Sequence, residues 1–169
     1  MCLGPVTLEY PGYPWHRTYS CPAHAIAEAA KKAKELGAWI VVVHGETIVE
    51  SVESGTNLAA LHSPHVDILA HPGLLSLEEA QLAATNGIFL EISARKGHCL
   101  TNSHIASLAQ HVGAKLLLNS DAHNEHDLLT TSLATAIAHG AGLDDTAYRQ
   151  VLAFNPRALI KNLPAGYWG

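Results

Sequence analysis

Two stretches of this chain are the same device: Gly37-Ala38-Trp39-Ile40-Val41-Val42-Val43-His44 and Gly113-Ala114-Lys115-Leu116-Leu117-Leu118-Asn119-Ser120. Each has a glycine suited to a left-handed helix C-cap, a short apolar run, and a polar end. Strands that are apolar throughout, rather than alternating, indicate burial on both faces and hence parallel strands covered by helices. The unit recurs along the chain. Pro22 opens a segment whose Ile26, Ala29, Ala30, Ala33 and Leu36 fall at helical spacing, ahead of a strand from Trp39 to Val43. Val66 to Ala70 reads as the next strand, and Ser76-Leu77-Glu78-Glu79 as a capping box for a helix ending near Gly87. A strand from Ile88 to Ile92, a helix from Thr101 to Val112 and a strand from Lys115 to Leu118 follow. Leu128 to Ala138 and Asp144 to Phe154 read as two more helices, with a short last one at Pro156. Four such units in a row predict an α/β protein.

Composition narrows the function classes. A chain of 169 residues, 48% hydrophobic and 15% charged, can bury one core and is not dominated by disorder. Its formal charge of −5 gives no electrostatic footprint for nonspecific nucleic-acid or anionic-membrane binding, which argues against both as partners. The apolar runs are too short to span a bilayer. With no basic-then-apolar leader and three cysteines (Cys2, Cys21, Cys99) odd in number and far apart, the expectation is reduced thiols and a cytoplasmic location.

The twelve histidines outnumber Lys and Arg together. In parallel α/β folds the C-terminal ends of the strands carry the site. Those ends read His44-Gly45-Glu46, His71-Pro72-Gly73, Glu91 running on to Ser93, Arg95, Lys96 and His98, and Asp121-Ala122-His123. Residues i and i+2 leaving a strand point to one side, so Asp121 and His123 can reach a common volume. His44, His71, Asp121 and His123 are therefore the candidate metal ligands, and imidazole with carboxylate suits Zn²⁺, Mn²⁺ or Fe²⁺. Glu46 is a candidate ligand, an orienter of His44, or plain loop. Glu91, in a strand end, is expected to face inward behind the ligands. Arg95, Lys96 and His98 are the side chains an anionic substrate would want, although alone they also fit a solvated loop. His24, His62, His65, His104, His111, His126 and His139 lie away from strand ends and are expected at the surface.

With these residues in hand, the chain resembles the PHP (polymerase and histidinol phosphatase) family, most closely its small histidinol-phosphatase-like members. The matching segments are Ile40 to Thr47, Asp67 to Gly73, Leu90 to His98 and Leu118 to His123, within residues 22–140. The resemblance implies a distorted, TIM-like α/β barrel of seven strands with a two- or three-metal site at the strands' C-terminal edge. It implies a metal-dependent phosphoesterase acting on a small phosphorylated substrate, the nucleophile being metal-activated water rather than a side chain. Carried over, His44 and His71 would hold one metal, Asp121 another and His123 a third, with Arg95 and His98 gripping phosphate.

Members of that family open with His-x-His and supply a bridging Glu one unit before the position of His44. This chain has no His-x-His, and where the Glu would fall it reads Trp15-His16-Arg17-Thr18. The expectation is an atypical leader over 1–21, a partial PHP-type domain over 22–163 lacking the N-terminal strands, and a tail over 164–169. Lost strands would leave sheet edges open and favour self-association as a homo-oligomer. The alternatives are a non-catalytic remnant or metal-binding scaffold of the same fold, another metal hydrolase on a barrel, and an RNA-processing-associated protein.

Overall fold

The computed structural model describes residues 4–8 and 17–161. Residues 1–3 and 9–16 of the expected leader, and the expected tail over 164–169, lie outside them. The strands are β1 (Gly4–Leu8), β2 (Arg17–Cys21), β3 (Val41–His44), β4 (Ile68–Ala70), β5 (Phe89–Ser93) and β6 (Leu116–Asn119). They form one sheet in the order β2-β1-β3-β4-β5-β6. From β3 to β6 every pairing is parallel, as the apolar runs predict. Alternating with these strands come α1 (Ile26–Glu35), α2 (Thr56–His62), α3 (Leu77–Asn86) and α4 (Asn102–Val112). After β6 come α5 (Thr131–Gly140), α6 (Asp145–Arg149), a π-helical turn (Gln150–Phe154) and α7 (Asn155–Ile160).

Local chemistry sets these limits. Ser76 caps α3 in a reciprocal capping box with Glu79, and Gly87 and Gly113 close α3 and α4 in the left-handed conformation. The sequence pattern misses α2, seven residues long and bounded by Gly55 in the left-handed conformation. The helix expected over Asp144 to Phe154 is α-helical only to Arg149.

Side chains alternate between the sheet's two faces. Val41, Val43, Leu69, Leu90, Ile92, Leu116 and Leu118 pack into one buried cluster with the apolar stripes of α1 to α5, many of them alanines that let the helices approach closely. Burying each large side chain contributes about 1.5–3 kcal/mol. Ile68, Phe89 and Leu117 turn to the opposite face, in a smaller cluster with Ile40, Val42 and Leu159 of α7. Both faces are thus buried, as the apolar runs predict, but by clusters of unequal size. The runs are apolar throughout because the second face has its own small core. Farther along the strands the residues in this alternation become His44, Glu91 and Asn119.

The open-edge expectation is corrected at β3 alone, since β2 and β6 are the outer strands of an open sheet. β1 and β2, in the stretch taken for an atypical leader, form an antiparallel hairpin, and β1 pairs antiparallel with β3 (Val6 opposite Val43, Leu8 opposite Val41). The free side of β3 is thus hydrogen-bonded rather than exposed. At the other edge the Asn155 side chain donates to the Leu116 carbonyl at 2.9 Å, occupying a backbone acceptor of β6.

Candidate metal centre

The loops after β3 and β4 are locked together. Gly45 N donates to the Ala70 carbonyl at 2.8 Å. The Asn57 amide accepts from Glu46 N and donates to the Pro72 carbonyl, each at 2.9 Å. No side chain fits between these loops: a Cβ on Gly45 would lie 2.6 Å from Pro72 Cα, and one on Gly73 would run into the Glu46 carbonyl. Among the described residues only two non-glycines have positive φ, His71 (+32°) and Asp121 (+49°). Both are sequence-predicted ligands. Such a backbone costs about 1–3 kcal/mol and persists where surrounding contacts impose it.

His44, His71 and His98 converge. One ring nitrogen from each lies within 4.8 Å of the others. The His44 and His71 rings meet edge to face at 4.4 Å between centroids, and His71 stacks on His98 at 4.2 Å. Each Nδ1 is tethered. His44 Nδ1 faces the Gly45 carbonyl at 2.9 Å, His71 Nδ1 faces Glu91 Oε1 at 3.0 Å, and His98 Nδ1 faces the Thr47 hydroxyl at 2.7 Å. Glu91 is itself held by Asn119, whose amide donates to Oε2 at 2.9 Å. Acceptors behind Nδ1 that leave Nε2 free are the usual arrangement behind metal-binding imidazoles.

His71 Nε2 is buried and has no hydrogen-bond partner, alone in this among the side-chain nitrogen and oxygen atoms of the described residues. An orphaned buried nitrogen costs about 1–3 kcal/mol, so it calls for a partner from outside the chain. Three imidazoles around that atom fit a divalent cation of borderline softness. Burial pushes the His44 and His98 pKa values below the ordinary imidazole value; neighbouring His71 pushes the same way and Glu50 partly opposes. Both rings are therefore held toward the neutral, metal-competent form.

The other predicted residues fall as follows. Glu91 is buried, its Oε1 3.0 Å from His71 Nδ1. His98, expected to grip phosphate, is instead a member of the cluster and 2% exposed. Asp121 sits at its margin, Oδ2 lying 3.7 Å from His98 Nε2 and 3.3 Å from Arg95 Nε. His123 stands outside, its side chain 61% exposed and its Nδ1 facing the Asp121 carbonyl and Arg95. The Asp121 and His123 side chains do approach one another, Nδ1 to Oδ1 at 3.9 Å, but β6 ends at Asn119 and the chain turns left-handed at Asp121, so His123 does not reach the imidazole cluster. Glu46 orients no imidazole in the structure. Its carboxylate accepts from the Gly55 and Asn57 backbone at 3.0 and 2.9 Å, anchoring the start of α2. Glu50, which the sequence reading overlooks, places Oε2 3.2 Å from His44 Nε2 and Oε1 3.4 Å from His98 Nε2. Nothing in local spacing marks Glu50; only the fold brings it there. Beyond Asp121 opens a cavity of about 400 Å³, lined by Arg95, Lys96, Ser120, His123, Asn124 and His126 among others. Of the histidines expected at the surface, six are exposed and His65 is half-buried.

No family model matches the chain. An uncharacterised protein of Methanocaldococcus jannaschii is 46% identical over 142 residues, 84% of this chain and 65% of that protein. The ribonuclease P protein component 3 of Methanosarcina mazei is 30% identical, covering 72% of this chain and 55% of that protein. A protein of Shewanella halifaxensis named probable phosphatase is 34% identical, covering 62% of this chain and 45% of its own length. The chain spans about half to two thirds of the length of these relatives. Among solved structures, a chain in the cryo-EM structure of archaeal ribonuclease P with mature tRNA matches with a TM-score of 0.66 at 15% identity, over 85% of this chain and 64% of that one. Among the described residues no helix is long and apolar enough to cross a membrane. The protein is thus an α/β chain whose distant relatives include proteins named phosphatase and proteins named ribonuclease P component 3.

Proposed function

We propose that this chain is a PHP-type, metal-dependent phosphoesterase that hydrolyses a small phosphate monoester, with His44, His71 and His98 holding a divalent cation. The observation that carries the reading is the partnerless, buried His71 Nε2 inside a cluster of Nδ1-tethered imidazoles. Helices α1 to α5 on one face of the parallel sheet and polar strand ends on the other suit a segment of that family's barrel. The relatives named probable phosphatase support the reaction class.

Bound there, a divalent cation would supply Lewis-acid stabilisation of phosphoryl oxygens. The chain's own groups do the rest. Glu91 fixes the His71 tautomer so that Nε2 stays unprotonated. Arg95 and the exposed Lys96, on the wall of the adjoining cavity, bind anionic oxygens, Arg95 through a planar donor fork and Lys96 as a point charge. Asp121 holds the Arg95 guanidinium at 3.3 Å and so sets its position between cluster and cavity. His123, also on the cavity wall, is positioned to meet the substrate rather than the imidazole cluster.

The test is phosphate release from p-nitrophenyl phosphate and a panel of small phosphate monoesters, with Zn²⁺ or Mn²⁺ supplied. Turnover should need the metal, vanish in His71→Ala and survive in His111→Ala, whose side chain is exposed. Tight metal binding without phosphate release from any ester would overturn it in favour of the scaffold reading.

A second reading, a protein subunit of an RNA-processing particle, draws on the two relatives named ribonuclease P protein component 3 and on the matching fold. A net charge of −5 disfavours unaided RNA binding, so this role would run through protein contacts within the particle. Co-purification of the chain with the proteins of an RNA-processing particle, unaffected by His71→Ala, would favour it.

A further inference from the structure

Resting on the metal-centre reading above, we propose that Glu50 is the fourth protein ligand of the cation, making the site His₃Glu, and is not a surface ion-pair partner. Both of its oxygens are committed, Oε2 to His44 Nε2 at 3.2 Å and Oε1 to His98 Nε2 at 3.4 Å. An exposed pair would use one oxygen on one cation and be interchangeable with water. Here the carboxylate joins the metal-facing nitrogens of two residues from separate elements, the end of β3 and the turn before α4. His71, the third member of the cluster, has its Nε2 free of any partner.

The spacings from Glu50 to His44 and His98 match adjacent positions of a coordination shell; the set whose ligand atoms all lie within 4.8 Å of one another is His44, His71 and His98, so the carboxylate would close further on the cluster when a cation binds. Ligands about 2.0–2.1 Å from a tetrahedral cation lie about 3.3–3.4 Å from one another. The two Glu50 contacts are 3.2 and 3.4 Å, longer than strong charge-assisted hydrogen bonds at about 2.7–2.9 Å. The loop carrying Glu50 is seated as well. Val49 packs on Gly97, where a Cβ would lie 3.2 and 3.3 Å from its two methyl carbons, so the loop after β3 rests against the turn that bears His98. Glu46 and Asn57 pin the base of the same loop. Asp121 is the competing carboxylate, but its Oδ2 lies 3.7 Å from His98 Nε2 and is drawn to Arg95.

The experiment is Co²⁺ titration of the full chain, read by visible absorption and by Zn²⁺ competition, for the parent, Glu50→Gln and His71→Ala. Glu50 is 52% exposed on its side chain, so the variant should fold as the parent does, checked by circular dichroism. The expected result is an unchanged one-to-one stoichiometry, affinity lowered at least about tenfold in Glu50→Gln, and an altered Co²⁺ spectrum. Equal or tighter binding in Glu50→Gln, while His71→Ala abolishes binding, would overturn the Glu50 assignment and leave the imidazole centre standing. Absence of binding by the parent would overturn both.

Discussion

Gly45→Ala tests how far the candidate site depends on two loops touching. The added methyl would sit 2.6 Å from Pro72 Cα, 2.7 Å from the Ala70 carbonyl oxygen and 2.9 Å from Asn57 Oδ1. Ordinary contact begins at 3.4 Å, and two of the three obstructing atoms are backbone, so the loops after β3 and β4 must part by about 0.8 Å. Overpacking of this kind costs about 1–3 kcal/mol. Straining the Gly45 N–H to Ala70 bond adds about 0.5–1.5 kcal/mol. The expected loss is about 2–4 kcal/mol, or about 10 °C in Tm for a domain of this size. Gly140→Ala is the matched control. At Gly140 an added Cβ meets nothing within 4 Å and the residue is helical, so the change should stabilise by about 0.5–1 kcal/mol. Urea unfolding followed by circular dichroism reads both as midpoint shifts at constant slope. His44 and His71 adjoin the clash, so Gly45→Ala should also weaken metal binding. A Gly45→Ala protein within about 0.5 kcal/mol of its parent would refute the reasoning.

Acidification should destabilise the metal-free protein. The folded chain holds the His44 and His98 pKa values below the ordinary imidazole value, so as pH falls through about 6.5 the unfolded chain takes up protons that the folded chain resists. The urea midpoint should be steady from pH 8 to 7 and fall toward pH 5, less steeply in His98→Gln; a midpoint that rises on acidification would contradict this. Ser76→Ala removes the reciprocal cap of α3 and should cost about 0.5–2 kcal/mol in the same assay without changing metal affinity. Arg95→Ala should lower kcat/KM for a phosphate ester at least about tenfold while leaving Co²⁺ binding within a factor of about two, since Arg95 contacts Asp121, His123 and the cavity rather than His44, His71 or His98.

The parallel sheet was legible because each unit carries its own punctuation: the Ser76 box, the caps at Gly87 and Gly113, and wholly apolar strands between them. The β1–β2 hairpin was not, since its pairing with β3 is a long-range event that Pro5, Pro11 and Pro14 obscure in the local pattern. His44 and His71 could be read as site residues because a strand end fixes which rim they reach. His98 and Asp121–His123 lie beyond the strand ends, where loop geometry decides. The turn at Asp121 sends His123 outward, and the short 3₁₀ turn at His98–Thr101 carries His98 inward. Glu50 depends on Val49 meeting Gly97 across 48 positions of sequence, a contact that no spacing rule predicts.

Three imidazoles that share one cation should show themselves in the metal content of the protein. Protein loaded with Zn²⁺, dialysed exhaustively and analysed for elements should retain one equivalent per chain, and the His44→Ala, His71→Ala and His98→Ala variants none. Retention by the parent no higher than by a variant lacking all three histidines would contradict it.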